Sequence, residues 1–273
     1  MTILVNLIVT LGMLYVVPAG LRLIDPARLR TTARLWPLLA APGALSLWLP
    51  RGAGAGTLAA LYAIATVALA LHAPVRLRRT RSLAPPEIAV LTALVTPGVA
   101  GAALVAERTG HRLFGFDLEI LALTVPHFHF AGFTAALVAG LVCRAAAPGP
   151  WARWAAYSVP GGTLLVLAGY FVDDWAELAG AVVLTSGMWA VALLTWREIR
   201  PAARDRVTRA LLAGSAAVLG ITMLLALWWA LGEASGLVHP TLTWMAATHG
   251  LGNALGFALC SVLAWRRLKE NTS

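Results

Sequence analysis

The sequence predicts an all-α, polytopic bundle of transmembrane helices with about nine spans, and three observations carry that expectation. Hydrophobic residues make up 59% of the 273 residues and charged residues only 12%, against about 45–50% and about 25% in an average soluble domain. The mean hydropathy is +0.78. The apolar residues are gathered into stretches of about 20, the length a helix needs to cross the hydrocarbon layer of a bilayer. No stretch between them is long enough for a separate soluble domain, so residues 1–273 read as one integral membrane domain.

Taken in order, the spans fall at about 2–22, 35–50, 55–75, 86–106, 118–142, 155–172, 175–196, 208–232 and 241–265. The first has no basic segment before its apolar run and no A-x-A site, so it reads as a retained helix rather than a cleaved signal. The second and sixth are short, and only RGAGAG (51–56) separates the second from the third. Asp25 followed by Pro26 reads as a helix cap with Pro in the first turn. Asp117 reads as the cap of the fifth span, with Glu119 favoured by the helix N-terminus. Asp174-Trp175-Ala176-Glu177 reads as a capping box opening the seventh.

The loops alternate in charge. Arg22, Arg28, Arg30 and Arg34 lie in the first loop and Arg76, Arg78, Arg79 and Arg81 in the third. Arg144 and Arg153 lie in the fifth, Arg197, Arg200, Arg204, Arg206 and Arg209 in the seventh, and Arg266, Arg267 and Lys269 in the tail. Eighteen of the 21 basic residues therefore share one side. The positive-inside rule makes that side cytoplasmic, with the N-terminus outside and the C-terminus inside a cell membrane. The same distribution explains a net charge of +9 without nucleic acid as a partner. The expected partners are membrane lipids and a lipid-soluble small molecule.

The outer side gathers acids: Glu107, Asp117, Glu119, Asp173, Asp174, Glu177 and Glu233. The insertion rule does not account for them, because acidic residues carry little topological information. Most of the 11 tryptophans fall at span ends, Trp36 among those at inner ends, and read as an interfacial belt. Trp189 alone sits inside a span. The two cysteines, Cys143 and Cys260, form no CxxC motif and read as small buried residues. No metal site and no cofactor are expected. Phosphate-cradling, HExxH and Asp-rich diphosphate motifs are absent from the sequence.

Two motifs place ionisable groups near mid-membrane. Pro126-His127-Phe128-His129-Phe130-Ala131-Gly132-Phe133 lies in the fifth span, its histidines two residues apart and so facing different neighbours. Thr248-His249-Gly250-Leu251-Gly252-Asn253-Ala254-Leu255-Gly256-Phe257 lies in the ninth. There His249 and Asn253 share a helix face, and Gly252 and Gly256 allow close helix approach. Charge at such depth is costly and marks function, unless each ring simply bonds to a neighbouring helix. The similar depth of both motifs suggests a shared polar cavity.

Together, HFHFAGF and THGLGNALGF resemble the YndJ-like bacterial integral membrane proteins, over about the second half of the chain. The resemblance implies a polytopic membrane protein and transfers no residue roles. HFHF is also similar to the paired haem-ligand helix of haem–copper oxidase catalytic subunits. The chain departs from that pattern in lacking an adjacent His-His pair and a His with a Tyr four residues on.

The function expected is a membrane enzyme acting on a lipid-soluble substrate inside the bundle. Its most concrete form is a terpene cyclase that cyclises a prenylated compound by acid initiation. Asp173 is then the acid, because a carboxyl beside a like charge can retain its proton. Glu233, His127, His129 and His249 complete the catalytic set, with Asn253, Glu177, Trp189 and Phe130 binding substrate. A transporter or permease with an intramembrane histidine site, and a haem-binding membrane protein, are the alternatives.

Overall fold

The computed structural model describes residues 2–270, and these are helical throughout apart from turns and loops. Nine continuous helical segments follow one another among them: α1 (Thr2–Ile24), α2 (Arg30–Ser46), α3 (Ala53–Thr80), α4 (Pro85–Thr109), α5 (Leu118–Ala145), α6 (Pro150–Gly169), α7 (Asp174–Ala202), α8 (Arg206–Ser235) and α9 (Leu242–Glu270). Seven are long and apolar enough to cross a membrane; the other two are α2 and α6, the spans that read as short in the sequence. α2 begins at Arg30, earlier than its apolar run, with Arg30 and Arg34 both exposed.

Among the described residues five segments are wound as π-helix: Gly12–Val16, Phe128–Thr134, Thr195–Ile199, Ala246–Gly250 and Gly252–Leu259. Three of these belong to the two motifs that carry His129, His249 and Asn253. Single π turns recur at functional sites because the extra residue re-aims neighbouring side chains.

The chain divides into two compact units. The first comprises the residues up to Ser82 together with Leu91–Thr134. Its centre is aromatic. Trp36 of α2 is 1% exposed and donates its indole N–H to the Met13 carbonyl of α1 at 3.0 Å. Trp36 is therefore a core residue, not part of an interfacial belt. An indole can be buried this way because its one donor has found an acceptor. Tyr62 of α3 stands edge-on to it at 6.2 Å. The opposite face of α3 exposes Leu61, Ile64, Val67 and Leu71 at helical spacing, which suits lipid.

At the basic end of this unit Asp25 closes α1 rather than opening α2. Its carboxylate accepts the Arg28 amide at 3.1 Å and an Arg79 guanidinium at 3.0 Å, with Arg76 at 3.9 Å. Burial works against the charge of this carboxylate. The Arg28 hydrogen bond and the two arginines outweigh it and hold its pKa below the usual range.

The second unit comprises Leu83–Val90 and the described residues from Ala135 onward. Here α6 and α7 pack backbone to backbone. A methyl group at Gly162 would lie 2.4 Å from the Leu184 nitrogen, and one at Gly180 would lie 2.5 Å from the Val166 nitrogen. Such small-residue contacts replace the hydrophobic drive that lipid removes. Asp205 caps α8, accepting the Thr208 amide at 2.9 Å, the Thr208 hydroxyl at 2.6 Å and Arg267 of α9 at 3.1 Å. The Thr208 bonds, with Arg267, hold its pKa far below normal.

Candidate functional site

Within the first unit a cavity of about 340 Å³ opens where the N-termini of α1 and α5 meet the C-termini of α2 and α4. Its deeper wall is apolar, with Val5 and Val9 from α1, Leu104 from α4, and Leu123 and Val125 from α5. Its mouth is polar, formed by Asn6, Arg51, Glu107, Arg108 and Glu119. This volume falls in the lower part of the range typical of small-molecule pockets, and apolar walls with few polar groups are their usual chemistry.

The mouth is built around one buried carboxylate. Glu107, 2% exposed, pairs with Arg51 at 2.8 Å and with the adjacent Arg108. Both Glu107 oxygens accept from guanidinium groups. Arg108 is itself buried, and its other terminal nitrogen faces the carbonyls of Ser46, Leu47 and Leu49 at 3.3–3.5 Å. These lie at the C-terminal end of α2, where cations interact favourably with the helix dipole. Asn6 donates to the Leu47 carbonyl at 2.9 Å, and the Gly52 amide donates to the Arg108 carbonyl at 2.9 Å. Buried charge is tolerated because each partner is satisfied; removing one partner of such a pair typically costs about 3–5 kcal/mol.

No local motif in the sequence marks this mouth, where Glu107 is one of several outer acids. Arg51 and Glu107 are far apart in the chain, so their pairing has no local signature. The legible clue was Asn6, a polar side chain inside the first apolar run.

One wall residue leads inward. The Val125 carbonyl accepts Nδ1–H of His129 at 2.7 Å, and Nε2 of the same ring lies 2.5 Å from the Tyr62 hydroxyl. His129 is fully buried, while His127 is half-buried and edge-on to Phe128. The two rings thus meet different neighbours, as their spacing predicts. Phe130 is buried in the same unit. Asp117 opens α5, but its carboxylate pairs with Arg112 instead of capping the helix.

The second unit holds the other motif. His249 lies with Nδ1 2.8 Å from the Thr222 carbonyl on α8, and Nε2 3.2 Å from the Asn253 amide nitrogen. The Thr222 hydroxyl lies 2.9 Å from the Asn253 carbonyl oxygen. With Nδ1 carrying the proton, these three residues close a ring of hydrogen bonds between α8 and α9. Gly252 and Gly256 bring the helices together there, since methyl groups would meet Thr222 at 3.0 Å and Val218 at 2.5 Å. Both nitrogens of His129, and both of His249, are thus engaged; ligation of a haem would have to break one bond of each ring it used.

The acids of this unit separate by role. Asp173, not Asp174, is the N-cap of α7, accepting the Ala176 amide at 2.7 Å; Asp174 follows it in the first turn, and both are exposed. The sequence placed the cap one residue late because either aspartate suits the position. Glu177 is buried and hydrogen-bonded to Tyr170. Glu233 pairs with His239 at 3.0 Å, the partner that a carboxylate at a helix C-terminus requires. Trp189 is partly exposed on α7. No group of three or more metal-ligating side chains occurs among the described residues.

Comparison with known proteins supplies the family. The profile of the YndJ-like proteins matches residues 7–257. A relative from Bacillus subtilis (strain 168), "Uncharacterized membrane protein YndJ", is 26% identical over 215 residues. The match covers 77% of this chain and 38% of the relative, so the chain spans well under half the length of the relative it matches. No solved structure matches it.

Proposed function

The chain belongs to the YndJ-like protein family, and from that premise we propose that it is a membrane protein that binds and acts on a lipid-soluble small molecule inside its helices. The observation that carries the reading is the cavity of the first unit, with apolar depth below a charged mouth. Such a shape suits an amphiphile whose apolar part lies against Val5, Val9, Leu104 and Leu123 while its polar end stays with Arg51, Asn6 and Glu107.

The finer form of the reading is acid-initiated cyclisation of a prenylated compound. That chemistry needs a carboxyl able to present an O–H to an alkene or epoxide. Both oxygens of Glu107 are taken by guanidinium groups, and Asp173 is engaged as a helix cap. Glu119 is the other carboxyl on the lining of the cavity.

Extraction of the purified protein tests the binding step. Parent protein should carry a hydrophobic small molecule that an Ala122→Trp variant, its cavity filled from α5, has lost. Incubation of membranes with prenylated candidates tests the reaction: cyclisation returns its proton, so the product has the mass of the substrate but a different retention time. Identical extracts from parent and Ala122→Trp would remove the cavity from the function.

A further inference from the structure

We propose that the cavity of the first unit selects a single-chain amphiphile with an anionic headgroup, received by Arg51. The inference rests on the preceding reading that the cavity binds an amphiphile, and it names the charge of what enters.

The charge at the mouth is asymmetric. Two guanidinium groups share one buried carboxylate, Glu107. Arg108 is spent, held by Glu107 and facing three backbone carbonyls. Arg51 is not spent. Its side chain is 50% exposed while its partner is 2% exposed, and it lines the cavity. It gives Nε and one terminal nitrogen to a single oxygen of Glu107. A guanidinium carries five N–H donors in a planar fork suited to carboxylate or phosphate oxygens, and donors remain for a ligand. The N-termini of α1 and α5 lie at the same mouth and offset, for an anion, the C-terminal ends of α2 and α4. The opposing charge is Glu119, which is exposed at the rim, where water screens it. The small volume fits one chain better than two.

The test uses full-length protein in nanodiscs of zwitterionic lipid. Displacement of a fluorescent fatty acid is followed for laurate, dodecyl phosphate, monolaurin, dodecyltrimethylammonium and inorganic phosphate. The carboxylate and phosphate amphiphiles should displace the probe at least about tenfold better than the neutral or cationic ones, since charge-assisted hydrogen bonds exceed neutral ones by about that margin. Inorganic phosphate, lacking a chain, should not compete. Arg51→Gln should erase the preference, Arg51→Lys should keep part of it, and Glu119→Gln should strengthen it. Thermal unfolding of each variant separates lost binding from lost fold, and Arg51→Lys together with Glu119→Gln keeps the test decisive if Arg51→Gln does not fold. Equal displacement by monolaurin and laurate, both lost in Ala122→Trp, would overturn the anionic headgroup and leave the binding cavity standing. Displacement unaffected by Ala122→Trp would overturn both.

Discussion

The hydroxyl of Tyr62 on α3 lies 2.5 Å from Nε2 of His129 on α5, and the two rings stack with centroids 6.0 Å apart. Because the Val125 carbonyl can only accept, Nδ1 carries a proton, and in the neutral ring Nε2 then receives the Tyr62 hydrogen. Both nitrogens of the buried ring are thus bonded. Tyr62→Phe removes the donor and leaves a buried acceptor. The expected loss is about 1–3 kcal/mol, read as a lower melting temperature in detergent. An unchanged melting temperature would take this bond out of the account.

Asp25 predicts an acid-sensitive contribution. Its folded pKa lies below the unfolded value of about 3.9. The stabilisation is therefore fully present above that value and disappears as pH falls through the folded pKa. Parent protein should melt higher than Asp25→Asn at neutral pH, and the two should converge on acidification below about pH 4. A gap that persists at low pH means that the charge is not what Asp25 contributes.

Asp173 predicts a specific order among three variants. Asn caps a helix about as well as Asp, whereas Ala typically costs about 0.5–2 kcal/mol. Asp173→Asn should melt like the parent and Asp173→Ala below it, while Asp174→Asn should change little. Loss of activity in a stably folded Asp173→Asn protein would return this residue to a chemical role.

The charge alternation predicts topology. Reporter fusions after Arg34, Arg81, Arg153 and Arg206 should all report the cytoplasm, with the N-terminus outside. A single external reading among the four breaks the alternation.

The helices were legible because membrane helices are written in composition: nine apolar stretches became nine helical segments, displaced by a few residues at their ends. The pairing of His249 with Asn253 was legible too, since helical spacing decides it. What sequence could not show depends on distant contacts. Trp36 looked like a belt residue until Met13 supplied its acceptor. Asp117 looked like a cap until Arg112 took its carboxylate. The cavity mouth joins residues from four helix ends, and only the fold brings Arg51 to Glu107.

The register of α9 has a consequence for how this chain can vary. α9 is tied to α8 at two places, by His249 and Asn253 at Thr222 and by Arg267 at Asp205 and Thr208. Equal numbers of residues separate Thr208 from Thr222 and Asn253 from Arg267, and a π-wound stretch lies in the second interval. Inserting or deleting one residue there shifts the helical phase by about 100°. Either Arg267 or the His249 pair would then swing away from its partner. Point substitutions should be accepted in this stretch more readily than indels, and sibling sequences should keep its length more faithfully than its letters.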